Sequence, residues 1–306
     1  LVNGSEDNIK ITYKEDIESG SLAAAKGGFT SVILMANTKP AVDSADTINY
    51  ILDKGRKTGI HVYTCANITE GMKGEVLTDF SVLLEAGAIG FTDDGVPLLK
   101  EELVEKAMEQ AVATDSVLSF HEEDPRYIIN NGVNRGKASE HFGIGGSDRQ
   151  AEISMVDRDI KLAVKTGAKV NFQHLSTKEA IALIREAKNR PEGKNLYAEA
   201  TPHHIALTQD AVLEHGTMAK MNPPLREEDD RQAIIEGIMD GTIDIIATDH
   251  APHSADEKNK SITEAPSGIL GLETAFAICN KVLILDEKMD YLQLFCKISY
   301  NPACLY

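Results

Sequence analysis

Short apolar runs alternate with amphipathic stretches along most of the chain, and this alternation predicts its secondary structure. The apolar runs are typical of strands buried on both faces, and the stretches between them have the periodicity of surface helices. Seven strands are predicted, at residues 29–35, 61–67, a short segment ending at 92, 117–120, 169–172, 196–200 and 243–247. Helices are predicted at residues 13–26, 44–57, 80–86, 101–114, a segment ending at 164, 178–189, 231–239 and 271–277, with a long loop over 125–147.

Strands that alternate with helices favour parallel pairing through right-handed crossovers. The predicted fold class is therefore α/β, and a (β/α)8 barrel explains the pattern better than an open doubly wound sheet. A barrel brings strands that are distant in sequence to one face, which an open sheet would not do. The pattern is one strand short of closure, because a helix stands where a barrel begins with a strand. We expect that first strand to be absent from the sequence or unrecognisable in it.

Polar residues follow six of the seven predicted strands, at the ends where α/β proteins place their chemistry. They are Asn37, Asp94, His121, His174, the pair His203 and His204, and Asp249. Imidazole and carboxylate groups are ligands that suit zinc. Zinc with an open coordination position acidifies water and polarises a carbonyl. We therefore expect Asp94, His121, His174 and Asp249 to be metal ligands.

Each of these residues also has a simpler interpretation. Asp94 lies in TDDG, a sequence typical of β-turns, and Asp249 could cap the helix that follows it. A single histidine after a buried strand is more often a hydrogen-bonded structural residue. His203 and His204 follow Pro202, which breaks the strand, so we expect loop packing or a supporting role for them.

Other candidates lie in loops. Asn37 and Asn222 stand near prolines in MANTKP and MNPPLR, where an amide either forms a turn or binds a carboxylate or ureido group. Arg226 either steadies an acid or is a surface charge. Ser267 and Gly268 either begin a helix or present backbone N–H groups to an anion. The three remaining candidates, His61, His141 and His215, are expected to have no role in the site.

Composition and charge narrow the functional classes. The chain has 306 residues, of which 42% are hydrophobic and 26% are charged, an ordinary globular composition. A net charge of −17 argues against nucleic acid as a partner. No apolar run approaches the roughly 20 residues that span a bilayer, and the N-terminus does not resemble a signal peptide. The four cysteines form no CxxC pair, which favours reduced thiols in a cytoplasmic protein.

Nine ordered motifs together resemble the bacterial type I dihydroorotases of the amidohydrolase superfamily. They are KEDIESGS, GGFT, MANTKP, FTDDG, HEED, QHLST, MNPPLR, ATDHAPH and PSGILGLE. The resemblance as a whole runs from Tyr13 to the C-terminal NPACLY. Allantoinases and hydantoinases are related but match less well. Those relatives carry a carboxylated lysine at the fourth strand, and Asp94 stands in that bridging place here.

The resemblance implies a metal-dependent (β/α)8 barrel, one or two zinc ions, and the reversible cyclisation of N-carbamoyl-L-aspartate to L-dihydroorotate in pyrimidine synthesis. By position, His121 and His174 resemble ligands of one zinc ion, and Asp94 resembles the bridging ligand. Asp249 resembles a ligand of the other zinc ion and the general acid/base. Positions that resemble substrate-binding residues are Asn37, Asn222, His253, Ser267 and Gly268. A homodimer and an association with aspartate transcarbamoylase are also implied.

One departure from the family pattern concerns its first strand, which ends in HxHLR and supplies two zinc ligands and an arginine. The corresponding segment here is SEDNIKIT, which has neither histidine nor arginine. We expect residues 1–12 to be a fragment of the family's small accessory β-domain and residues 13–306 to form the barrel. Either a segment is missing from the sequence, which we favour, or the protein is an inactive relative that serves as a scaffold for aspartate transcarbamoylase.

Overall fold

The computed structural model describes residues 15–306, so the expected accessory fragment and the SEDNIKIT segment lie outside the described residues. The described chain forms two compact units. The first contains the residues up to His121 together with Tyr306, and the second contains Glu122–Leu305. Within the described residues, no helix is both long enough and apolar enough to cross a membrane.

The first unit is a succession of parallel strands and helices. Strand β1 pairs with β2 and β3 with β4, each in parallel. An isolated parallel bridge pairs Ala66, two residues beyond the end of β2, with Phe91 of β3. The strands are β1 (Ser31–Leu34), β2 (His61–Thr64), β3 (Phe91–Thr92) and β4 (Val117–Phe120). The helices are α1 (Ile17–Lys26), α2 (Ala45–Gly55), α3 (Phe80–Glu85) and α4 (Glu101–Ala113).

Local chemistry explains where these elements begin and how they pack. Helix α2 begins after Ser44, because the Ser44 hydroxyl accepts a hydrogen bond from the Thr47 N–H and satisfies one free donor of the first turn. Ile48 on the same helix is fully buried. Between α3 and β3, the rings of Phe80 and Phe91 stack with centroids 3.7 Å apart, and neither ring is exposed. The predicted alternation therefore builds an apolar core in this unit.

The second unit repeats the same pattern around three parallel strands in the order β5, β6, β7. They are β5 (Lys169–Phe172), β6 (Leu196–Ala200) and β7 (Ile245–Ile246). The longer helices are α6 (Gln150–Thr166), α7 (Lys178–Lys188) and α10 (Glu228–Asp240). The shorter ones are α5 (Lys137–Phe142), α8 (Pro202–Ala206), α9 (Asp210–His215), α11 (Ala255–Lys258), α12 (Ala275–Cys279), α13 (Tyr291–Phe295) and α14 (Asn301–Leu305).

Several predicted boundaries are wrong. The long loop over 125–147 contains helix α5, which begins after Gly136. The strand expected at 243–247 is only β7, and the helix expected at 271–277 is α12, which begins at Ala275. The strand ends before Pro202, as predicted, but the expected loop at His203 and His204 is wrong. Pro202 begins helix α8 there, because proline is well suited to the first turn of a helix, where its missing N–H costs nothing.

Candidate active site

Three of the predicted site residues meet in the first unit. Asp94, which follows β3, accepts a hydrogen bond from the Asn37 side-chain nitrogen at 3.0 Å through Oδ2. Its other oxygen, Oδ1, lies 3.6 Å from Nδ1 of His121, the residue that directly follows β4. Asp94 is half-buried and His121 is buried. An oxygen and a nitrogen donor thus converge on one point, as a zinc or similar divalent ion requires.

The neighbouring carboxylate, Asp93, has a structural role. It is buried, and it accepts hydrogen bonds from the Ile68 N–H at 2.9 Å and from the backbone and hydroxyl of Thr69. Burial raises the pKa of the Asp93 carboxyl, and these hydrogen bonds oppose that rise. Asp93 therefore holds the loop after β2, as expected where alternation along a strand turns neighbouring side chains to opposite faces.

His174 lies in the second unit, two residues beyond β5, with an unusual backbone. Its φ of +35° places a residue with a side chain in the left-handed region, which costs free energy and is found mostly at functional sites. Glu199 on β6 holds this conformation, because its Oε1 accepts from the His174 N–H at 3.4 Å and its carbonyl accepts from the Leu175 N–H at 2.9 Å.

The residues after His174 are fixed by a second carboxylate, Glu152 on α6. It is buried, and it accepts the backbone N–H groups of Ser176 and Thr177 at 3.0 and 2.8 Å. Both hydroxyls of these residues also donate to it. Four hydrogen bonds to one carboxylate leave the QHLST turn little freedom, so His174 is held from both sides.

Asp249, three residues beyond β7, shares the strained geometry of His174, with a φ of +44°. Its Oδ2 lies 3.9 Å from Nε2 of His203. His203 packs on His204, and His204 is held by the Thr201 hydroxyl at 2.8 Å and the Pro223 carbonyl at 3.1 Å. Burial lowers the pKa of both imidazoles, that of His204 to about 3. The pair is thus a neutral support beside Asp249.

The candidate substrate residues of the second unit also contact one another. The His253 Nε2 lies 2.9 Å from the Ser267 carbonyl, and the Ser267 hydroxyl donates to Asn131 Oδ1 at 3.2 Å. Asn222 donates through Nδ2 to Glu123 Oε2 at 3.0 Å. The loop residues expected to bind substrate are therefore connected through Glu123 and Asn131, which sequence reasoning did not single out for this role.

The alternative of a helix start at Ser267 and Gly268 is wrong. The Gly268 N–H donates to the Lys220 carbonyl at 3.0 Å, and α12 begins only at Ala275. At Gly268 φ is +149°, and a Cβ atom there would lie 2.4 Å from the Ala251 carbonyl oxygen. Only glycine therefore fits, and its role is to let two backbone segments approach each other.

Two buried lysines hold the same loops together. Lys220 donates through Nζ to the carbonyls of Ile262 and Ala265, at 2.8 and 2.7 Å. Lys258 donates to the carbonyls of Thr217 and Pro266, each at 3.0 Å. Burial lowers the pKa of both amines, and the nearby Lys220 adds to this effect at Lys258, whose pKa falls to about 8.

The alternative of a surface charge at Arg226 is wrong. The guanidinium is buried and donates to Asn134 Oδ1 at 2.8 Å, to the Ser147 carbonyl at 3.0 Å and to the Ser176 hydroxyl at 3.2 Å. It therefore braces the loops around the QHLST turn. His61, His141 and His215 are exposed, as expected of residues without a role in the site.

Among residues 15–306, Asp94, His121 and His174 are side chains of the kind that could hold a metal ion. Sequence reasoning found these ligand types but missed the carboxylates that orient them, Glu152 and Glu199. The adjacent hydroxyl residues Ser176 and Thr177, which can both donate to a buried acid, are the sequence signal for such a carboxylate. Nothing in the sequence showed which acid they would meet.

Comparison with known proteins agrees with this chemistry. The dihydro-orotase-like family model matches residues 8–180. The dihydroorotase of Clostridioides difficile is 52% identical over 295 residues, covering 96% of this chain and 70% of that protein. The dihydroorotase of Clostridium acetobutylicum is 48% identical over 295 residues, covering 96% and 69%.

Solved structures support the predicted fold class. An L-hydantoinase (dihydropyrimidinase) from Arthrobacter aurescens is similar with a TM-score of 0.82 at 20% sequence identity, covering 97% of this chain and 69% of that one. A D-hydantoinase has a TM-score of 0.79 at 17% identity, covering 96% and 68%. This similarity confirms the predicted α/β fold class, and the parallel strands agree with a (β/α)8 barrel. On the sequence matches, the chain belongs to the dihydroorotase family.

Proposed function

We propose that this protein catalyses the reversible cyclisation of N-carbamoyl-L-aspartate to L-dihydroorotate. One observation carries the proposal. In a chain of the dihydroorotase family, Asp94, His121, His174 and Asp249 each lie within three residues of the end of a parallel strand. Such strand ends are where barrel enzymes place their catalytic groups. Residues 13–306 would then form one catalytic barrel domain.

The same four residues would hold zinc. Their nitrogen and oxygen donors are those that zinc prefers, and the 3.6 Å approach of Asp94 to His121 fits two ligands of one ion. When bound, zinc polarises the scissile carbonyl and lowers the pKa of water at the site. Glu199 and Glu152 would keep His174 in position for this role.

Asp249 would be the general acid/base. In ring opening, the attacking water must lose a proton and the leaving nitrogen must gain one, and a single carboxylate can perform both transfers. The neutral His203 beside Asp249 cannot neutralise its charge. A carboxylate without a positive imidazole beside it is the stronger proton acceptor.

Asn37, Asn222, His253, Ser267 and Gly268 would bind the substrate. Their amide, imidazole and backbone groups offer both donors and acceptors, which suits a ligand with a carboxylate and a ureido group. The N–H of Gly268 would not contact the substrate, because it already donates to the Lys220 carbonyl. Gly268 would instead shape the site by letting two backbone segments approach each other.

The cellular setting follows from the same proposal. All four cysteines, Cys65, Cys279, Cys296 and Cys304, carry thiols rather than disulfides, which suits a cytoplasmic location. A homodimer and an association with aspartate transcarbamoylase are proposed from the family alone. Size-exclusion chromatography coupled to light scattering, with and without that partner, would test both.

The deciding experiment is an assay of the purified zinc-loaded protein with dihydroorotate, hydantoin and allantoin as separate substrates. We expect hydrolysis of dihydroorotate at a rate that exceeds the other two by at least about tenfold, a discrimination of about 1.4 kcal/mol in transition-state binding. Preference for hydantoin or allantoin would reassign the substrate. An absence of turnover with zinc bound would instead support the inactive scaffold.

A further inference from the structure

Glu123 is a buried carboxylate, 9% exposed, that no step of the proposed reaction uses. It accepts a hydrogen bond from Asn222 Nδ2 at 3.0 Å through Oε2. It also accepts from Asn131 Nδ2, at 3.3 Å through Oε1 and 3.4 Å through Oε2. Two side-chain amides from different loops thus face the same acid.

We propose that Glu123 is a positioning residue, which fixes the orientation of the Asn222 amide so that Asn222 accepts a hydrogen bond from an N–H group of the substrate. This inference rests on the proposed function and adds which atom of Asn222 recognises which class of group. An asparagine amide can rotate to present either nitrogen or oxygen. A carboxylate offers only acceptors, so it selects the orientation with nitrogen towards itself.

The consequence for recognition follows from the geometry of the amide. With Nδ2 directed at Glu123, Oδ1 is directed away from that acid. An oxygen acceptor recognises N–H donors, which both the ring of dihydroorotate and the ureido group of carbamoyl aspartate carry. A site built to accept from an N–H discriminates against analogues in which that hydrogen is replaced, because the acceptor is left unpaired.

Asn131 forms a second hydrogen-bonded contact with Glu123. Its Nδ2 also faces Glu123, so its Oδ1 is the atom that accepts from the Ser267 hydroxyl at 3.2 Å. Ser267 in turn accepts from His253 through its carbonyl. One carboxylate therefore sets the polarity of hydrogen bonds at two loops that carry proposed substrate residues, and Ser267 would offer substrate its backbone rather than its hydroxyl.

The test exchanges the carboxylate and the amide between Glu123 and Asn222, first singly and then together. Glu123→Gln can face Asn222 with either end of its amide, so the orientation is no longer selected. We expect KM to rise about tenfold, the loss of one hydrogen bond of about 1.4 kcal/mol, while kcat stays within about twofold. Asn222→Asp places two carboxylates in contact, and KM should rise by more.

The double variant Glu123→Gln/Asn222→Asp restores a donor and an acceptor in reversed order, and the carboxylate introduced by Asn222→Asp still offers the substrate an acceptor oxygen. Its KM should be at least about fivefold lower than that of Asn222→Asp alone, which a purely structural role for Glu123 would not produce. Glu228→Gln is the matched control, because Glu228 accepts from the Gln232 amide at 2.9 Å on the exposed surface of α10 in the same unit. The KM of this control should equal that of the wild type.

Two readouts keep the inference separate from the proposed function. Calorimetric binding of dihydroorotate should show the same order of affinities even if the wild type proves inactive. In addition, the wild-type protein should bind one of the two N-methylated dihydroorotates at least about tenfold more weakly than dihydroorotate, a measurement that needs no variant. Any one of four results would overturn the inference. Two concern KM: an unchanged value in Glu123→Gln, or a value in the double variant as high as in Asn222→Asp. The other two concern binding to the wild type: both N-methylated ligands binding as tightly as dihydroorotate, or no binding of dihydroorotate.

Discussion

His203 Nε2 lies 3.9 Å from Asp249 Oδ2, and burial keeps this imidazole neutral beside the carboxylate. A charged imidazole at that distance would lower the pKa of the Asp249 carboxyl and so weaken it as a proton acceptor. A neutral one fills the space without that penalty. No positive charge on His203 therefore weakens Asp249 as a proton acceptor, which suits the proposed role.

Asp249→Asn tests that role directly. Asparagine keeps the shape and one oxygen but cannot accept a proton, so kcat for ring opening should fall on the order of 10²–10⁴-fold. The acidic limb of the pH profile should disappear with it. Asp210→Asn, on the exposed surface of α9, is the control and should keep wild-type turnover. Near-normal turnover with the same pH profile in Asp249→Asn would exclude Asp249 as the proton carrier.

His174→Ala should lower the zinc content. His174 is buried and its backbone is held by Glu199, so the substitution removes an oriented nitrogen donor. Inductively coupled plasma mass spectrometry on the wild type should give at least about one zinc per chain, as expected of a metal-dependent hydrolase. His215→Ala changes an exposed histidine and should leave the content unaltered. Equal zinc contents in His174→Ala and the wild type would show that His174 is not a zinc ligand.

Asn37→Ala should act on substrate binding more than on the metal. The hydrogen bond to Asp94 orients the Asn37 amide. Its truncation would remove the hydrogen bond that Asn37 makes to the charged substrate, a loss of about 1.5–3 kcal/mol. We expect kcat/KM to fall by at least about tenfold, with zinc retained. Steady-state kinetics and metal analysis on the same preparation measure both. Wild-type kinetics would remove Asn37 from the site.

Lys258→Met should change how stability depends on pH. Burial lowers the pKa of Lys258 from 10.5 to about 8, so between these values the unfolded chain holds a proton that the folded chain has released. The contribution of Lys258 to the free energy of unfolding therefore rises with pH across this window. In urea unfolding, the free energy of unfolding of the wild type should increase relative to that of Lys258→Met from about pH 8 upward. The exposed Lys260→Met should run parallel to wild type, and a constant gap for Lys258→Met would contradict the expectation.

Gly268→Ala should destabilise the protein by at least about 2 kcal/mol and raise KM, because both an unfavourable φ and a clash are introduced. The new Cβ would lie 2.4 Å from the Ala251 carbonyl oxygen and 2.8 Å from the His253 ring. Gly28→Ala is the matched control. Its φ is +89°, with nothing within 4 Å of the added carbon, so only the backbone cost of about 1 kcal/mol remains. Equal losses in the two variants would show that the close approach at Gly268 does not matter.

The sequence was most informative where burial and periodicity agree. Strands β4, β5 and β6 have the predicted bounds. Each is a short segment of mostly buried residues that ends before a polar residue, although Asn171 and Glu199 lie within the strands. Helix α5 escaped prediction because its six residues, KASEHF, are too few to show a period. Pro202 ends the strand as predicted, but the short helix that it begins was missed, since a proline can both end a strand and open a helix.

At the site, the sequence could indicate which residue types follow the strands but not which partners they find. Asn222 and Glu123 are 99 positions apart, and no local pattern connects them. The same holds for His174 and Glu199, which meet because β5 and β6 are adjacent. Such pairs depend on tertiary packing, which a single sequence does not reveal.

The two lysines that hold the loops near Ser267 have a consequence for the ionic requirements of the protein. Clusters of backbone carbonyls elsewhere in proteins often enclose a potassium or ammonium ion taken from solution. Here Lys220 and Lys258 supply the positive charge from within the chain, each to at least two carbonyl oxygens. Because a tethered charge is present at every salt concentration, the order of this segment does not depend on which monovalent cation the buffer contains.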